Sequence, residues 1–162
     1  MAKKIQVSMA QFHVAKRPEV LEALALGSCV AVILYDKRSG VAGMMHAMLP
    51  ASCHAREKIR KEKGRFVDTS LQVLYEAVLK NGAKKEFLKA KMAGGANMFP
   101  DVPRETAHIG KQNADAAIQK LKEMNIELVA HDVGGSQGRT VRYDTEKNSL
   151  EIRTIADGIK EI

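Results

Sequence analysis

Tryptophan is absent from this 162-residue chain, and four phenylalanines and three tyrosines hold the aromatic share to 4 %. Proteins that grip single-stranded nucleic acid stack bases on aromatic rings. The shortage argues against such a partner, despite a net charge of +7 from 26 basic and 19 acidic residues. Cysteine is scarce as well, at two residues, too few for a disulfide framework. With no CxxC or HxxxH spacing, Cys53-His54, His13, His108 and His131 form no zinc-binding pattern. A long hydrophobic run is also missing. The longest, Cys29 to Tyr35, falls far short of the roughly 20 residues a membrane helix requires. The opening stretch, MAKKIQVSMAQFHVAK, lacks the continuous apolar core of a signal peptide. These absences set the expectation of a soluble, cytoplasmic chain with reduced thiols, no nucleic-acid partner and no membrane insertion.

What is present is ordinary globular material: 45 % hydrophobic and 28 % charged residues, in a length that suits one domain over residues 1–162. The positive charge gathers in HAREKIRKEKGR, His54 to Arg65, which reads as a loop or a short solvated helix. Ile5 to Val14 alternates like a strand, with Ile5, Val7 and Met9 on one side. Val20 to Leu26 fits strand or helix equally. Cys29–Tyr35 and Val41–Leu49, separated by the turn formers of DKRSG, read as a β-hairpin. Phe66 to Lys80 has helical spacing, with Asp68 or Thr69 as N-cap and Asn81-Gly82 as the stop. A strand over Phe87–Met92 precedes a second helix, about Lys111 to Met124, whose inner face carries Ala114, Ala117, Ile118 and Leu121. Strand Ile126–Ala130 and a closing hairpin, Val141–Tyr143 with Leu150–Ile155, complete the chain. Many strands with two long helices predict an α/β protein with a mixed, largely antiparallel sheet in a layered sandwich.

The first hairpin raises a chemical question. If Leu34 pairs with Val41, Cys29 faces His46 on one side of the sheet, with Cβ atoms about 4.5–5.5 Å apart. A register change of one residue would separate them to opposite faces. A histidine beside a thiol can accept its proton and later return it to a leaving group. Gly27-Ser28 before the cysteine permits a turn whose backbone N–H groups could hold an oxyanion. Such a site attacks an acyl carbon. Each residue alone has a simpler reading, since buried cysteines serve as small hydrophobes and core histidines are common. The facing geometry is what gives the pair its functional case.

Two glycine-rich stretches are less informative. AGGANMF, containing Gly94 and Gly95, has the composition of a phosphate cradle but no GxxxxGK[ST]; a close backbone approach lining a cleft fits it better. DVGGSQGR places Gly134, Gly135 and Gly138 before Arg139, which sits either near a site or on the surface.

Five segments taken in order resemble the CheD family, the chemoreceptor glutamine deamidases of bacterial and archaeal chemotaxis. They are LGSCVAV (Leu26–Val32), GMMHAMLP (Gly43–Pro50), KMAGGANMF (Lys91–Phe99), IGKQNADA (Ile109–Ala116) and DVGGSQGRTVRYDTEKNSLEIR (Asp132–Arg153). The resemblance implies a three-layer α/β/α sandwich related to the cytotoxic necrotizing factor deamidase fold. It implies hydrolysis of glutamine side chains on the cytoplasmic helices of methyl-accepting chemoreceptors, giving glutamate and ammonia. Cys29 matches the family nucleophile and His46 the family base. Ser28 would contribute to an oxyanion site, and Gly94 and Gly95 would border the cleft. No metal or cofactor is implied, and a CheC-type phosphatase is the implied protein partner.

One position departs from the family pattern. Six residues before the cysteine the family carries threonine, as in TLGLGSC, where this chain has Ala23 in ALALGSC. If the threonine hydroxyl orients the imidazole, a backbone carbonyl or another residue must substitute here. The alternative is an adaptor that binds receptors or a CheC-type phosphatase with little or no turnover.

Overall fold

The computed structural model describes residues 1–103 and 108–162. Its strands are β1 (Lys4–Gln6), β2 (Phe12–Lys16), β3 (Val20–Leu26), β4 (Val30–Asp36), β5 (Val41–Ala47), β6 (Lys89–Gly94), β7 (Glu127–Val133), β8 (Arg139–Asp144), β9 (Ser149–Thr154) and β10 (Gly158–Glu161). Its helices are α1 (Glu57–Arg60), α2 (Val67–Lys80) and α3 (Ile109–Glu123). The strands form two five-stranded sheets, ordered β1-β3-β8-β9-β10 and β2-β5-β4-β6-β7. Each is mixed and largely antiparallel, the parallel pairs being β1 with β3 and β6 with β7. The expected α/β class with mixed sheets therefore holds.

The layering differs from the expected α/β/α sandwich. Strand β4 is buried along its whole length, so both faces of the second sheet are covered. On one face Val30, Val32 and Leu34 pack with Leu71, Leu74 and Val78 of α2 and Ala117 and Leu121 of α3. On the other, Ala31, Ile33, Tyr35 and Met44 pack with Leu21, Ala23, Val141, Tyr143 and Ile152 of the first sheet. The order is helix, sheet, sheet. Its cause is visible in β8 and β9, whose burial alternates. Alternation marks a sheet with one face inward and the other toward water, and both long helices are already used on the opposite side.

Three local expectations are also corrected. Ile5–Val14 is not one strand: it breaks where Gln11 N–H donates to the Ser8 carbonyl at 3.0 Å and Ala10 takes φ 64°. The chain thereby leaves one sheet as β1 and enters the other as β2. Helix α2 begins after Phe66, not at a side-chain cap. Asp68 instead accepts from Ser52 N–H at 3.2 Å, and the Thr69 hydroxyl donates to the Lys63 carbonyl at 2.6 Å. The inner face of α3 is rotated from the expected one, burying Gly110, Asn113, Ala114, Ala117 and Leu121 and leaving Ile118 exposed. The ambiguous Val20–Leu26 segment is strand β3, and β10 pairs antiparallel with β9 without an antecedent in the sequence reading. The basic stretch is the exposed α1 followed by a 3-10 turn at Lys63–Arg65.

Candidate active site

Cys29 lies in the connection between β3 and β4, held chiefly through backbone carbonyls. Gly27 carbonyl accepts from Ala96 N–H at 2.9 Å, and Cys29 carbonyl accepts from Gly95 N–H at 2.8 Å. Between them, the Ser28 carbonyl accepts from the side-chain amide of Asn113 at 2.9 Å. Gly94 (φ 114°) packs so tightly here that a Cβ on it would collide with the Cys29 carbonyl. Only glycine tolerates both the conformation and the approach. The AGG segment is thus a backbone-to-backbone support beneath the cysteine. Among the described residues, the N–H groups of Ser28 and Cys29 donate to no carbonyl, and that of Cys29 lies beside its own thiol.

His46 sits on β5, and the hairpin register puts Ala31 opposite it. The expected pairing of Leu34 with Val41 is replaced by Leu34 with Gly43 and Asp36 with Val41. The reason lies in Asp36, which is a strand residue. Its carboxylate accepts from Arg38 N–H at 2.9 Å and its carbonyl from Gly40 N–H at 3.0 Å, closing the turn two residues tighter. Cys29 therefore precedes the first ladder pair, Val30 with Ala47, and is diagonal to His46 instead of directly across. A shift of two preserves the face, so both remain on the side turned toward the other sheet. Diagonal neighbours of this kind stand about 7–8 Å apart at the backbone. Among the described residues no hydrogen bond joins the thiol to the imidazole.

The surroundings set the imidazole's chemistry. His46 is only 4 % exposed, and its Nδ1 lies 3.1 Å from the Val7 carbonyl. A carbonyl can only accept, so Nδ1 carries the proton and Nε2 keeps its lone pair. The backbone of His46 is tied to the same N-terminal turn: its N–H donates to Gln11 at 3.0 Å and its carbonyl accepts from Ala10 N–H at 2.8 Å. Burial holds the imidazole below its ordinary pKa, opposed by the Val7 hydrogen bond. Cys29, half-buried and unpaired, is pushed up by burial, against a smaller lowering by its own N–H. Neutral thiol and neutral imidazole are the forms this environment favours.

Ala23 is fully buried on β3, opposite Val141, in the same inter-sheet layer as Cys29. Val7 N–H donates to Glu22 carbonyl at 2.7 Å, which brings Val7 alongside this position. Ala23 offers the imidazole no hydrogen bond, and Nδ1 of His46 meets the Val7 carbonyl from the neighbouring backbone instead. The residue type of Val7 carries no sign of this role, because the acceptor is a main-chain oxygen. Asn113 was missed as well; a polar residue four before Ala117 on an otherwise apolar helical face was its signal. Arg139 is buried and donates to the Asp132 carbonyl at 2.5 Å and to the Gly134 carbonyl; it braces the glycine loop. A groove of about 620 Å³ opens beside Gly27, bordered by Ala25, Met98, Gln137, Thr154 and Ile155.

Fold and site together define a mixed α/β chain with a free thiol and a hydrogen-bonded imidazole on the same sheet face at one end of a two-sheet layer. The family model for CheD chemotactic sensory transduction matches residues 48–154, a span that begins just after His46. Over 159 residues the chain is 42 % identical to the chemoreceptor glutamine deamidase CheD of Halalkalibacterium halodurans, covering 98 % of each. It is 40 % identical over 162 residues to a probable chemoreceptor glutamine deamidase CheD of Caldanaerobacter subterraneus, covering 99 % of each. To the protein of that name in Thermococcus kodakarensis it is 38 % identical over 155 residues, 96 % of this chain and 95 % of the other. The chain belongs to the CheD family.

Proposed function

We propose that this protein is a chemoreceptor glutamine deamidase, a protein-glutamine glutaminase in which Cys29 is the nucleophile and His46 the base. One observation carries the chemistry: Val7 occupies Nδ1 of a buried imidazole, which leaves Nε2 basic on the sheet face that also bears Cys29. The near-full-length identity to proteins named as deamidases of chemoreceptors supports the substrate.

In the proposed reaction the Cys29 proton passes to His46 Nε2 while sulfur bonds to the carboxamide carbon of a receptor glutamine. Negative charge then develops on the carboxamide oxygen, and the N–H groups of Ser28 and Cys29, which donate to no carbonyl, are the proposed donors that hold it. As the C–N bond breaks, His46 returns the proton to nitrogen and ammonia leaves, with a glutamyl thioester remaining. His46 next removes a proton from water, oxygen bonds to the same carbon, and the C–S bond breaks as His46 passes that proton to sulfur, restoring the thiol and the neutral imidazole. Glutamine and water become glutamate and ammonia, with no electrons exchanged. Catalytic hydrogen bonds commonly tighten only in the Michaelis complex, and in the proposed reaction Cys29 turns toward Nε2 when substrate seats.

The cytoplasmic location, docking on receptor cytoplasmic helices and a CheC-type phosphatase partner belong to the same proposal. So does kinship with the cytotoxic necrotizing factor deamidase fold, here on a helix–sheet–sheet frame. The test is iodoacetamide labelling near neutral pH in a Cys53→Ser background, followed against glutamine-to-glutamate conversion in a receptor fragment. Conversion should fall in step with Cys29 labelling, and His46→Ala should slow both relative to the wild type. A Cys29 thiol equally inert with and without His46, and unlinked to conversion, would instead favour the adaptor.

A further inference from the structure

Asn113 is fully buried on α3, and its amide nitrogen donates twice. One proton goes to the Ser28 carbonyl and the other to the Met48 carbonyl, both at 2.9 Å. Ser28 immediately precedes the thiol residue, and Met48 lies two residues beyond His46. A single side chain therefore bridges the cysteine loop to the end of the histidine strand, at a point past the last ladder pair of β4 and β5. No backbone hydrogen bond performs this connection among the described residues.

The orientation of the amide is fixed chemically. Turning it over would set Oδ1 against two carbonyl oxygens, so the nitrogen must face them. Oδ1 is itself buried without a partner. A buried acceptor left unpaired costs free energy, which a residue serving only to fill space would not incur.

We infer that Asn113 is a positioning residue for the deamidation chemistry, fixing the separation between the Cys29 loop and the His46 strand. The inference rests on the proposed roles of those two residues. A pair that stands diagonally, with no hydrogen bond of its own, depends on the backbone around it for alignment. Misplacement by an ångström can cost roughly a hundredfold in rate.

The experiment compares wild type with Asn113→Leu, which removes both donors, Asn113→Asp, which sets an anion against two carbonyls, and Asn113→His, which retains a ring N–H donor. Receptor-fragment deamidation is measured as kcat and KM at a temperature where each variant is folded, alongside the pH profile of Cys29 alkylation. The expected result is kcat lowered about tenfold to a hundredfold in Asn113→Leu and Asn113→Asp, with KM little changed. Their alkylation profile should match that of His46→Ala, and Asn113→His should recover part of kcat. If Asn113→Leu does not fold, the comparison of Asn113→Asp with Asn113→His decides by the same readouts. A folded variant without donors that keeps wild-type kcat and profile overturns the inference, as does a loss accounted for wholly by the unfolded fraction. Cys29→Ala is run in parallel: if it deamidates normally, the proposed function fails, whereas normal Asn113 variants beside an inactive Cys29→Ala remove only the positioning role.

Discussion

At the scale of single residues, burial acts on the two proposed catalytic groups in opposite directions and leaves both uncharged. For His46 the pKa in the folded chain lies below that of the unfolded chain, about 6.5, because burial outweighs the Val7 hydrogen bond. Between that value and the lower folded one, the unfolded chain binds a proton that the folded chain refuses. Stability should thus decline as pH falls from about 6.5 and level off, for this group, below the folded pKa. Chemical denaturation across that window, compared between wild type and His46→Gln, checks it: the variant should show a shallower decline. Equal slopes would mean that the imidazole is not held neutral by its surroundings. The residue scale also shows how legibility divides. Cys29 and His46 stood out because their types carry chemistry in an apolar context. Val7 did not, since what it contributes is a carbonyl oxygen common to every residue. Ala23 marked a missing hydroxyl, while the structure supplies the imidazole with an acceptor from the backbone of Val7.

At the scale of elements, the first hairpin was readable in place and in kind, but its register was not. Periodicity locates strands; the turn's own hydrogen bonds decide which residues face each other, and Asp36 closes this one two residues tighter than its turn formers suggest. The error was even in number, so Cys29 and His46 kept the same face. The break in Ile5–Val14 was hidden for a related reason, because Ala10 adopts a left-handed conformation that its residue type does not advertise. Two substitutions test the connection beneath the cysteine. Ala25 takes φ 52° at the irregularity in β3, where the resembling TLGLGSC pattern has glycine. Ala25→Gly should raise stability by up to about 1 kcal/mol. Gly94→Ala should lower it by roughly 1–3 kcal/mol, the scale of a strained backbone conformation, and should displace the Cys29 carbonyl. Thermal or denaturant unfolding gives both signs. A neutral Gly94→Ala would show that the support is looser than its contacts imply.

At the scale of the molecule, the first sheet, β1-β3-β8-β9-β10, serves as the outer layer that a further set of helices was expected to provide. Its alternating strands were present in the sequence as TVRYD and SLEIR, yet alternation alone does not say which other sheet the inward face meets. That pairing is set by long-range packing of Leu21, Val141 and Ile152 on Ala31, Ile33 and Met44. The consequence for function is that the thiol and the imidazole lie at the end of a β–β layer, with the turn between β1 and β2, the AGG segment and α3 all converging on them. In the proposed reaction this convergence makes Cys29 the nucleophile for receptor glutamines. The most direct measurement of that role is mass spectrometry of a chemoreceptor cytoplasmic fragment incubated with wild type or with Cys29→Ala, scoring glutamine-to-glutamate conversion at each site. Conversion by the wild type and none above background by folded Cys29→Ala is the predicted result; undiminished conversion by Cys29→Ala would contradict it.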